Sequence, residues 1–287
     1  MKVQKLDIRG LQTHVQEWGE PGLPKLFMLH GWMDCGATYK YMMPYLSQHY
    51  HVIAPDLRGF GETEHDSSGY WFPDYIADLE VLLDHYSPTG KVNLVGHSMG
   101  GNIVLMYAGI RPERVARVLS LEGLGLPPTQ PSDAVGKYQQ WLREILSKEP
   151  SKVYPSANIL KHSIYKGNPS LPDHIIEELA DLWGKPVGND GAYMLKHDHK
   201  HRYTNPIRYN IDDATEIWKS VIAKVGLVMA DSSMLYQKFM AAGILDEAKA
   251  ALSIADDNYY LVENSNHMLH MEQSEQTAKH VLHFFVS

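Results

Sequence analysis

A serine between two glycines is the feature of this sequence that most directly indicates chemistry. Ser98 is the middle residue of the run Gly-His-Ser-Met-Gly (96–100), which comes directly after the apolar segment 92–95. A sharp strand-to-helix turn strains the backbone of such a serine and crowds the neighbouring main chain, so glycines are needed on both sides. The pattern predicts a nucleophilic hydroxyl above a sheet, at the start of a helix over 101–108.

A serine hydroxyl is a weak nucleophile until a base removes its proton, so a histidine is needed beside it. His267 is the best candidate because it follows the last predicted strand and precedes the last predicted helix. From such a loop a side chain can reach back over the edge of the sheet. His270 is the alternative, but it and Glu272 are typical of the start of the closing helix. We therefore assign the base to His267.

A carboxylate must orient that histidine, and the residues leave a choice between two strand ends. Glu122 closes the apolar strand 115–121, and the glycines that follow it allow the side chain to bend inward. A buried charge without a partner is costly, so this glutamate requires one. Asp231, after the strand 224–229, is the alternative acid. Two further candidates are Asp256 and Asp257.

The negative charge that develops on an attacked carbonyl is normally stabilised by two backbone amides. The turn His30-Gly31-Trp32 follows the strand 25–29, and Gly31 lets the chain turn tightly. We expect the N–H groups of Trp32 and Met99 to form this oxyanion hole. We also expect Trp32 and His30 to contact the substrate, with Trp32 as a wall of the acyl pocket. The alternative is an ordinary turn at the end of a strand.

The elements that must position these residues alternate between strands and helices, which is typical of a mostly parallel sheet covered on both faces. The first two strands are predicted to form an antiparallel pair. The predicted strands are 3–8, 12–18, 25–29, 52–54, 92–95, 115–121, 224–229 and 258–262, and the predicted core helices are 75–85, 101–108 and 274–285.

The pattern changes between Leu126 and Asp213, where Pro, Tyr and Trp are frequent and no strand is evident. Pro127, Pro128 and Pro131 separate this stretch from the preceding strand. We predict an inserted helical cap (126–213) between two parts of one core (1–125 and 214–287), with helices over 134–147 and 172–183. Its aromatic residues, which pack helices or line a cleft, are Tyr138, Trp141, Tyr154, Tyr165, Trp183 and Tyr193.

Composition limits the classes of partner. The chain has 287 residues, 44% of them apolar, and a net charge of −8, which argues against nucleic acid and against an anionic membrane surface. Cys35 is the only cysteine, so no intrachain disulfide can form, and the start of the chain lacks the apolar core of a signal peptide. The last two features predict a cytoplasmic protein. We also predict that the protein needs no cofactor, and the oligomeric state is left open.

A cluster of histidines raises the question of a metal-binding site. The run His197-Asp198-His199-Lys200-His201 places imidazoles and a carboxylate within five residues. Lys200 would put a like charge beside a cation, and no second group of ligands is evident. Because the run lies where the chain returns from the insertion to the core, we interpret it as a polar hinge and predict no metal site.

Taken together, these motifs resemble the α/β-hydrolase superfamily over nearly the whole chain. The resemblance lies in His30-Gly31-Trp32, the run 56–61 (Asp-Leu-Arg-Gly-Phe-Gly), the run 96–101 and the late His267. It implies an eight-stranded, mostly parallel sheet and a Ser-His-acid triad. It also implies a structural rather than catalytic role beneath the site for three residues, which are Asp56, Arg58 and Gly61.

The acid departs from the commonest pattern of that superfamily. In many members a Gly-x-x-Asp motif follows the penultimate strand, but here Ser233 stands where that aspartate would fall. Some members place the acid at the end of the preceding strand instead, as Glu122 would. We therefore favour Glu122 over Asp231.

The expected function is hydrolysis of carboxylic esters of small to medium, largely apolar substrates through an acyl-enzyme. The same residues could instead cleave a lactone, thioester, amide or carbon–carbon bond, because specificity lies in the pocket. A noncatalytic ligand-binding member of the fold is a further alternative. Ser98 argues against the dehalogenases and epoxide hydrolases that the fold resembles, which use an aspartate nucleophile.

Overall fold

An eight-stranded sheet runs through the structure, a computed structural model that describes residues 1–126, 129–147, 151–207 and 209–286. The strands in these ranges are β1 (Lys2–Ile8), β2 (Leu11–Trp18), β3 (Lys25–Leu29), β4 (His51–Pro55), β5 (Val92–His97), β6 (Val115–Leu121), β7 (Val153–Tyr154), β8 (Gly184–Val187), β9 (Ala192–Leu195), β10 (Lys224–Ala230) and β11 (Tyr259–Val262).

The strand order in this sheet is β1-β2-β4-β3-β5-β6-β10-β11. β2 is antiparallel to both of its neighbours, and the other pairs between β4 and β11 are parallel. The predicted opening antiparallel pair and the mostly parallel eight-stranded sheet are therefore confirmed. Because parallel strands end at the same edge, the ends of β3, β5, β6 and β10 bring their following loops together.

Helices cover both faces of the sheet, and none in the described ranges is long and apolar enough to cross a membrane. Shorter 3₁₀ turns include 36–42 and 199–202. The α-helices are α1 (Met43–Leu46), α2 (Phe72–Tyr86), α3 (Met99–Ile110), α4 (Ala134–Ser147), α5 (Ala157–Gly167), α6 (Asp173–Trp183), α7 (Ile211–Trp218), α8 (Met234–Ala241), α9 (Ile244–Ala251), α10 (Leu269–Glu272) and α11 (Ser274–Val286).

The core follows from the two-residue period of the strands. In β3, Phe27 and Leu29 pack into the cluster that contains α2 and α3, whereas Leu26 and Met28 pack into the cluster that contains α11. Alternate side chains of a strand point to opposite faces, so a run that is apolar throughout is buried on both. The short apolar runs of the sequence therefore become central strands.

The segment between β6 and β10 has a small core of its own, built around Leu160, Ile176 and Leu179. Helices α4 and α6 lie where they were predicted, but α5 was missed. The expectation that the segment contains no strand was wrong, because β7, β9 and β8 form a three-stranded antiparallel sheet. These strands span only two to four residues, and Pro186 lies on the edge strand β8, where its missing N–H is tolerated. Pro127 and Pro128 lie outside the described residues.

The loop after β4 stabilises the base of the site. The Asp56 carboxylate accepts hydrogen bonds from the N–H groups of Gly36 (2.7 Å) and Glu62 (2.9 Å). Gly61 has a positive φ of 53°, and a Cβ there would collide with the Asp56 carboxylate. Arg58 is bonded to Asp78 at 2.6 Å. These contacts are structural, which is the role that the family resemblance implies for Asp56, Arg58 and Gly61.

Two glycines with different surroundings test this packing. A Cβ at Gly100 would collide with the backbone carbonyl of Leu29, whereas a Cβ at Gly136 in α4 meets nothing within 4 Å. We expect Gly100→Ala to lower the free energy of unfolding by about 1–3 kcal/mol, because the core cannot make room. Gly136→Ala should raise it by about 0.5–1 kcal/mol through helix propensity. Urea unfolding measures both, and equal effects of the two substitutions would contradict this account.

Candidate active site

Ser98 occupies a strained turn between β5 and α3. Its backbone angles, φ 52° and ψ −113°, lie outside the regions that residues other than glycine favour. The strain is supported on both sides: the N–H of Ser98 donates to the carbonyl of Leu121 (2.8 Å), and a Cβ on Gly96 would collide with the backbone of Gly100. The turn is therefore fixed by its neighbours, and the hydroxyl is held half-buried at the carboxyl edge of the sheet.

His267 lies beside this hydroxyl, in the loop between β11 and α10. Its Nε2 is 2.9 Å from Oγ of Ser98, and its Nδ1 is 3.2 Å from Oε2 of Glu122. The side chain of His267 is 40% exposed, so the imidazole faces the solvent-accessible side while Glu122 lies behind it. The structure thus brings together the three residues that the sequence analysis favoured as nucleophile, base and acid.

Glu122 is fully buried and lies directly after β6. Its Oε1 accepts the N–H of Ala230 (2.8 Å), and its Oε2 accepts the hydroxyl of Ser233 (2.6 Å) in addition to His267. The backbone of Glu122 has a positive φ of 55°, which turns the side chain back toward β10. Three donors around one carboxylate supply the partners that a buried charge requires.

Asp231, the alternative acid, has a different position. Its carboxylate accepts the backbone N–H groups of Asn264 (3.0 Å) and Ser265 (3.3 Å), in the loop that carries His267. Within the described residues no hydrogen bond or ion pair joins Asp231 to His267 itself. Asp231 therefore anchors the loop and does not contact the ring. Asp256 and Asp257 are exposed in a turn before β11, and Asp256 pairs with Lys249.

His97 holds the loop that carries His267 through a hydrogen bond to its backbone. The carbonyl of His267 can only accept, so the 2.7 Å contact means that Nε2 of His97 carries the proton and donates. Nδ1 of His97 has no hydrogen-bond partner among the described residues. Burial, reinforced by the nearby His270 and His267, lowers the pKa of His97 well below its usual value, so the ring is neutral.

Behind His97, a buried group of side chains could in principle hold a metal ion. In the described residues Asp34, His97 and His270 each offer a ligand atom within 4.8 Å of the others. Two of these residues already contact each other, since Nε2 of His270 lies 3.4 Å from Asp34, and it also lies 3.3 Å from Thr38. Burial would raise the pKa of Asp34, but its hydrogen bond to His270 lowers that pKa below its usual value. His270, the alternative base, is thus fully buried against Asp34 and Thr38, and among the described residues no hydrogen bond joins it to Ser98.

The turn after β3 lies against Ser98, as an oxyanion hole requires. A Cβ added to Gly31 would be 3.2 Å from Cβ of Ser98, so the backbone of this turn approaches Ser98 closely. Met99 is the first residue of α3, where N–H groups have no intrahelical acceptor. Trp32 is 52% exposed beside it. The amides of Trp32 and Met99 therefore remain our candidates for binding the oxyanion.

His30 does not have the position that was expected for a substrate contact. Its ring is fully buried, with Nε2 accepting the N–H of Leu57 (2.8 Å) and Nδ1 donating to the carbonyl of Gly31 (2.7 Å). The ring packs edge-on against Phe60. Both ring nitrogens of His30 thus stabilise the turn before Trp32. His30 therefore has a structural role. The sequence pattern indicates that His30 lies near the site, but it does not indicate which way the ring points.

Two cavities open beside the turn. One, of about 360 Å³, is lined by Ser98 and His267 together with Tyr154 and Trp183 of the β6–β10 segment; we call it the site cavity. The other, of about 770 Å³, is lined by Met99 and aromatic side chains that include Trp141; we call it the outer cavity. Trp32 lines both. Ser98 and His267 therefore line the smaller of these two cavities.

The aromatic residues of the segment divide between these roles. Trp141 lines the outer cavity, and Tyr154 and Trp183 line the site cavity. The indole N–H of Trp183 donates to Asp34 (2.9 Å), which ties the segment to the core. Tyr193 packs against the segment's own core, whereas Tyr138 and Tyr165 are nearly half exposed.

The run 197–201 connects the segment to the core through packing and hydrogen bonds. The ring of His201 stacks between Phe60 and Tyr70, with centroids 3.7 Å apart on each side. Asp198 accepts the hydroxyl of Tyr70 (2.9 Å), and the N–H of Asp198 donates to the carbonyl of Gly59 (2.8 Å). Nδ1 of His199 lies 3.2 Å from Asp198, whereas His201 is held by the two rings that stack on it. The interpretation of the run as a hinge remains a prediction.

One supporting residue, Ser233, was noticed in the sequence without its role being recognised. Its hydroxyl donates to Glu122 and also accepts the N–H groups of Leu235 (3.1 Å) and Tyr236 (3.4 Å) at the start of α8. A serine directly before a helix is the usual signal of an N-cap. That signal was available, but nothing in the sequence showed that the same hydroxyl would meet a carboxylate from another strand.

The chain belongs to the α/β hydrolase fold family, whose sequence profile matches residues 24–185. It is a hydrolase of this family. A serine hydrolase-like protein of Danio rerio is 26% identical over 277 residues, which cover 94% of this chain and 83% of that protein. Epoxide hydrolase A of Mycobacterium tuberculosis is 34% identical over 128 residues, which cover 44% of this chain and 39% of that one.

Solved structures agree with this fold. The thioesterase domain of the curacin biosynthetic pathway has a TM-score of 0.84 at 24% identity, and the match covers 98% of this chain and 99% of that domain. At this level of identity the likeness extends to the fold, including the eight-stranded sheet, and not to the substrate.

Burial of His97 predicts a pH dependence of stability. Its pKa is lowered in the folded protein, whereas an unfolded histidine titrates near 6.5. Below that pH the unfolded chain binds a proton that the folded chain excludes, so stability falls as the pH drops from about 7 to 5. We expect His97→Gln, which keeps an N–H donor, to reduce this slope by up to about 1.4 kcal/mol per pH unit.

Urea unfolding across this pH range measures the slope. His49→Gln, at an exposed position, is the matched control and should leave the slope as it is in the wild type. An unchanged slope in His97→Gln would show that this ring does not contribute.

Proposed function

We propose that this protein is a serine hydrolase that cleaves carboxylic esters of small to medium, largely apolar substrates through an acyl-enzyme. The observation that carries the proposal is the hydrogen-bonded series from Ser98 through His267 to the buried Glu122, at the wall of a cavity of about 360 Å³. A hydroxyl, an imidazole and a carboxylate in this order form the arrangement by which a serine is activated.

The chemistry follows from the geometry. Oγ of Ser98 attacks the ester carbonyl while Nε2 of His267, 2.9 Å away, takes its proton. Glu122 stabilises the resulting imidazolium and keeps Nδ1 protonated. The amides of Trp32 and Met99 stabilise the oxyanion. His267 then gives its proton to the departing alcohol, and a water molecule activated by the same ring releases the acid.

The two cavities suit the two parts of an ester. Because Trp32 lines both, a carbonyl held at Ser98 could extend its acyl and alcohol groups in different directions. The outer cavity, with its aromatic lining, suits the larger apolar group. We propose that the inserted segment (126–213) acts as a cap over this site and limits the length of the substrate.

Ser98 argues against epoxide hydrolysis, although epoxide hydrolases are among the similar proteins. A serine that opened an epoxide would form an ether with the ring carbon, and water would not release it. An acyl group on the same oxygen is an ester, which an activated water molecule can hydrolyse. The nucleophile therefore favours acyl transfer.

Two carboxylate variants test the triad. We expect Glu122→Gln to reduce kcat on an activated ester by about 10⁴-fold, because the glutamine no longer stabilises the imidazolium. Asp231→Asn should change kcat only a few-fold, since Asp231 bonds to the loop backbone and not to the ring. Steady-state hydrolysis of p-nitrophenyl butyrate, with circular dichroism to confirm folding, provides the comparison. Near-normal activity of Glu122→Gln with collapse of Asp231→Asn would reverse the assignment.

A series of p-nitrophenyl esters tests the substrate class. We expect kcat/KM to fall beyond medium acyl chains, because Trp32 and the inserted segment bound the site cavity. A fluorophosphonate probe should label the wild type and not Ser98→Ala. A maximum on long-chain triglyceride would contradict the size limit, and labelling without turnover of any ester or lactone would favour the noncatalytic alternative.

A further inference from the structure

An exposed arginine lies on the wall of the site cavity, among polar and apolar side chains. Arg202 ends the 3₁₀ turn 199–202 and lines the site cavity together with Ser98 and His267. It also lines an adjoining cavity of about 250 Å³. Among the residues that the structure describes, neither a lysine nor a second arginine lines the site cavity, so Arg202 supplies the permanent positive charge there.

The guanidinium has no protein carboxylate to neutralise it in the described part of the chain, where no ion pair or hydrogen bond of Arg202 is found. This is notable because acidic residues outnumber basic ones by 34 to 26. By contrast, Arg58 and Arg114 are each paired with an aspartate. An arginine left unpaired in a cleft of an acidic protein is available to an anionic ligand.

The other charged groups around these two cavities are already engaged. Asp34, the acidic residue that lines the site cavity, is buried and accepts Trp183 and Thr38. In the adjoining cavity, Glu144 accepts the backbone N–H of Thr204, and Lys152 lies over the ring of Tyr154. No carboxylate of these linings is therefore directed at Arg202.

His197, which lines both cavities with Arg202, does not add a charge. Burial, together with the positive charge of Arg202, lowers the pKa of His197 to about 4. At neutral pH the imidazole is uncharged and can serve only as a hydrogen-bonding group. The recognition of charge in this cavity therefore rests on Arg202.

We propose that the part of the substrate that occupies the site cavity ends in a carboxylate, and that Arg202 binds it. The substrate class is then a half-ester or related acyl compound of a small dicarboxylic acid, with its apolar group in the outer cavity. This inference rests on the proposed function, because it takes Ser98 as the group that attacks the acyl carbon. A guanidinium binds a carboxylate with two parallel hydrogen bonds, which fixes orientation as well as charge.

Binding can be measured without turnover in the Ser98→Ala background. Calorimetry compares monomethyl glutarate, which has a free carboxylate, with the neutral dimethyl ester. We expect the monoester to bind more tightly, and Arg202→Gln to weaken its binding roughly ten- to a hundredfold, the effect of losing a charged hydrogen-bonded partner. Arg202→Lys should recover part of the loss, since it keeps the charge but not the paired geometry.

Arg143→Gln is the matched control, because Arg143 lies on α4 of the same segment, is bonded to Gln140 and lines none of these cavities. It removes the same net charge and should leave the affinity for the monoester unchanged. Equal binding of the two esters, an unaltered affinity in Arg202→Gln, or an equal loss in Arg143→Gln would overturn the proposal.

Turnover gives the second measurement. The ratio of kcat/KM for mono-p-nitrophenyl glutarate to that for its methyl-capped counterpart, each corrected for spontaneous hydrolysis, should fall about tenfold or more in Arg202→Gln. A ratio that stays the same would contradict the role of Arg202. If the wild type hydrolysed neither ester, the proposed function would fail, while the binding measurement would still decide whether Arg202 recognises the carboxylate.

Discussion

A buried carboxylate at the end of β6 is the constraint on which the rest of the site depends. Glu122 has no exposed surface, and an ionised group in such a place costs several kcal/mol unless its oxygens are bonded. Two donors come from the neighbouring strand end and the start of α8, through Ala230 and Ser233, and the third is His267. The imidazole is therefore part of what makes the buried charge tolerable, and the charge in turn fixes the orientation of the imidazole.

This arrangement requires two neighbouring strands to end in register. The backbone N–H of Glu122 donates to the carbonyl of Val228 (2.9 Å), which continues the β6–β10 ladder by one residue. Its positive φ then directs the side chain toward β10, where the donors are. On the other side, Asp231 and His97 hold the loop that carries His267 by its backbone. Residues that never approach a substrate thus set the distance of 2.9 Å between His267 and Ser98.

Much of this could be predicted from the sequence, because the responsible signals are local. The glycines around Ser98 report a backbone conformation, and the apolar runs report strands buried on both faces. The histidine follows from its place after the last strand. The choice of Glu122 over Asp231 was harder, since it depends on which side chain meets the ring across two strands. A buried glutamate at the end of an apolar run was the useful signal, because such a charge needs partners.

Other features had no local signal. His30 is next to Trp32 in the sequence, but only tertiary packing shows that its ring turns inward and bonds to Leu57. The strands β7 to β9 are too short for their periodicity to be recognised, and one contains a proline. Arg202 directly follows the run 197–201, which the sequence analysis interprets as a polar hinge. Its position on the wall of the site cavity arises because the inserted segment folds back over the ends of β3 and β5.

The central claim is that Glu122, and not Asp231, accepts the Nδ1 proton of His267. Proton NMR tests it most directly, since an imidazole N–H bonded to a buried carboxylate gives a resolved low-field resonance. We predict that this resonance is present in the wild type and in Asp231→Asn and is lost in Glu122→Gln and in His267→Gln. Its loss in Asp231→Asn, with retention in Glu122→Gln, would contradict the account.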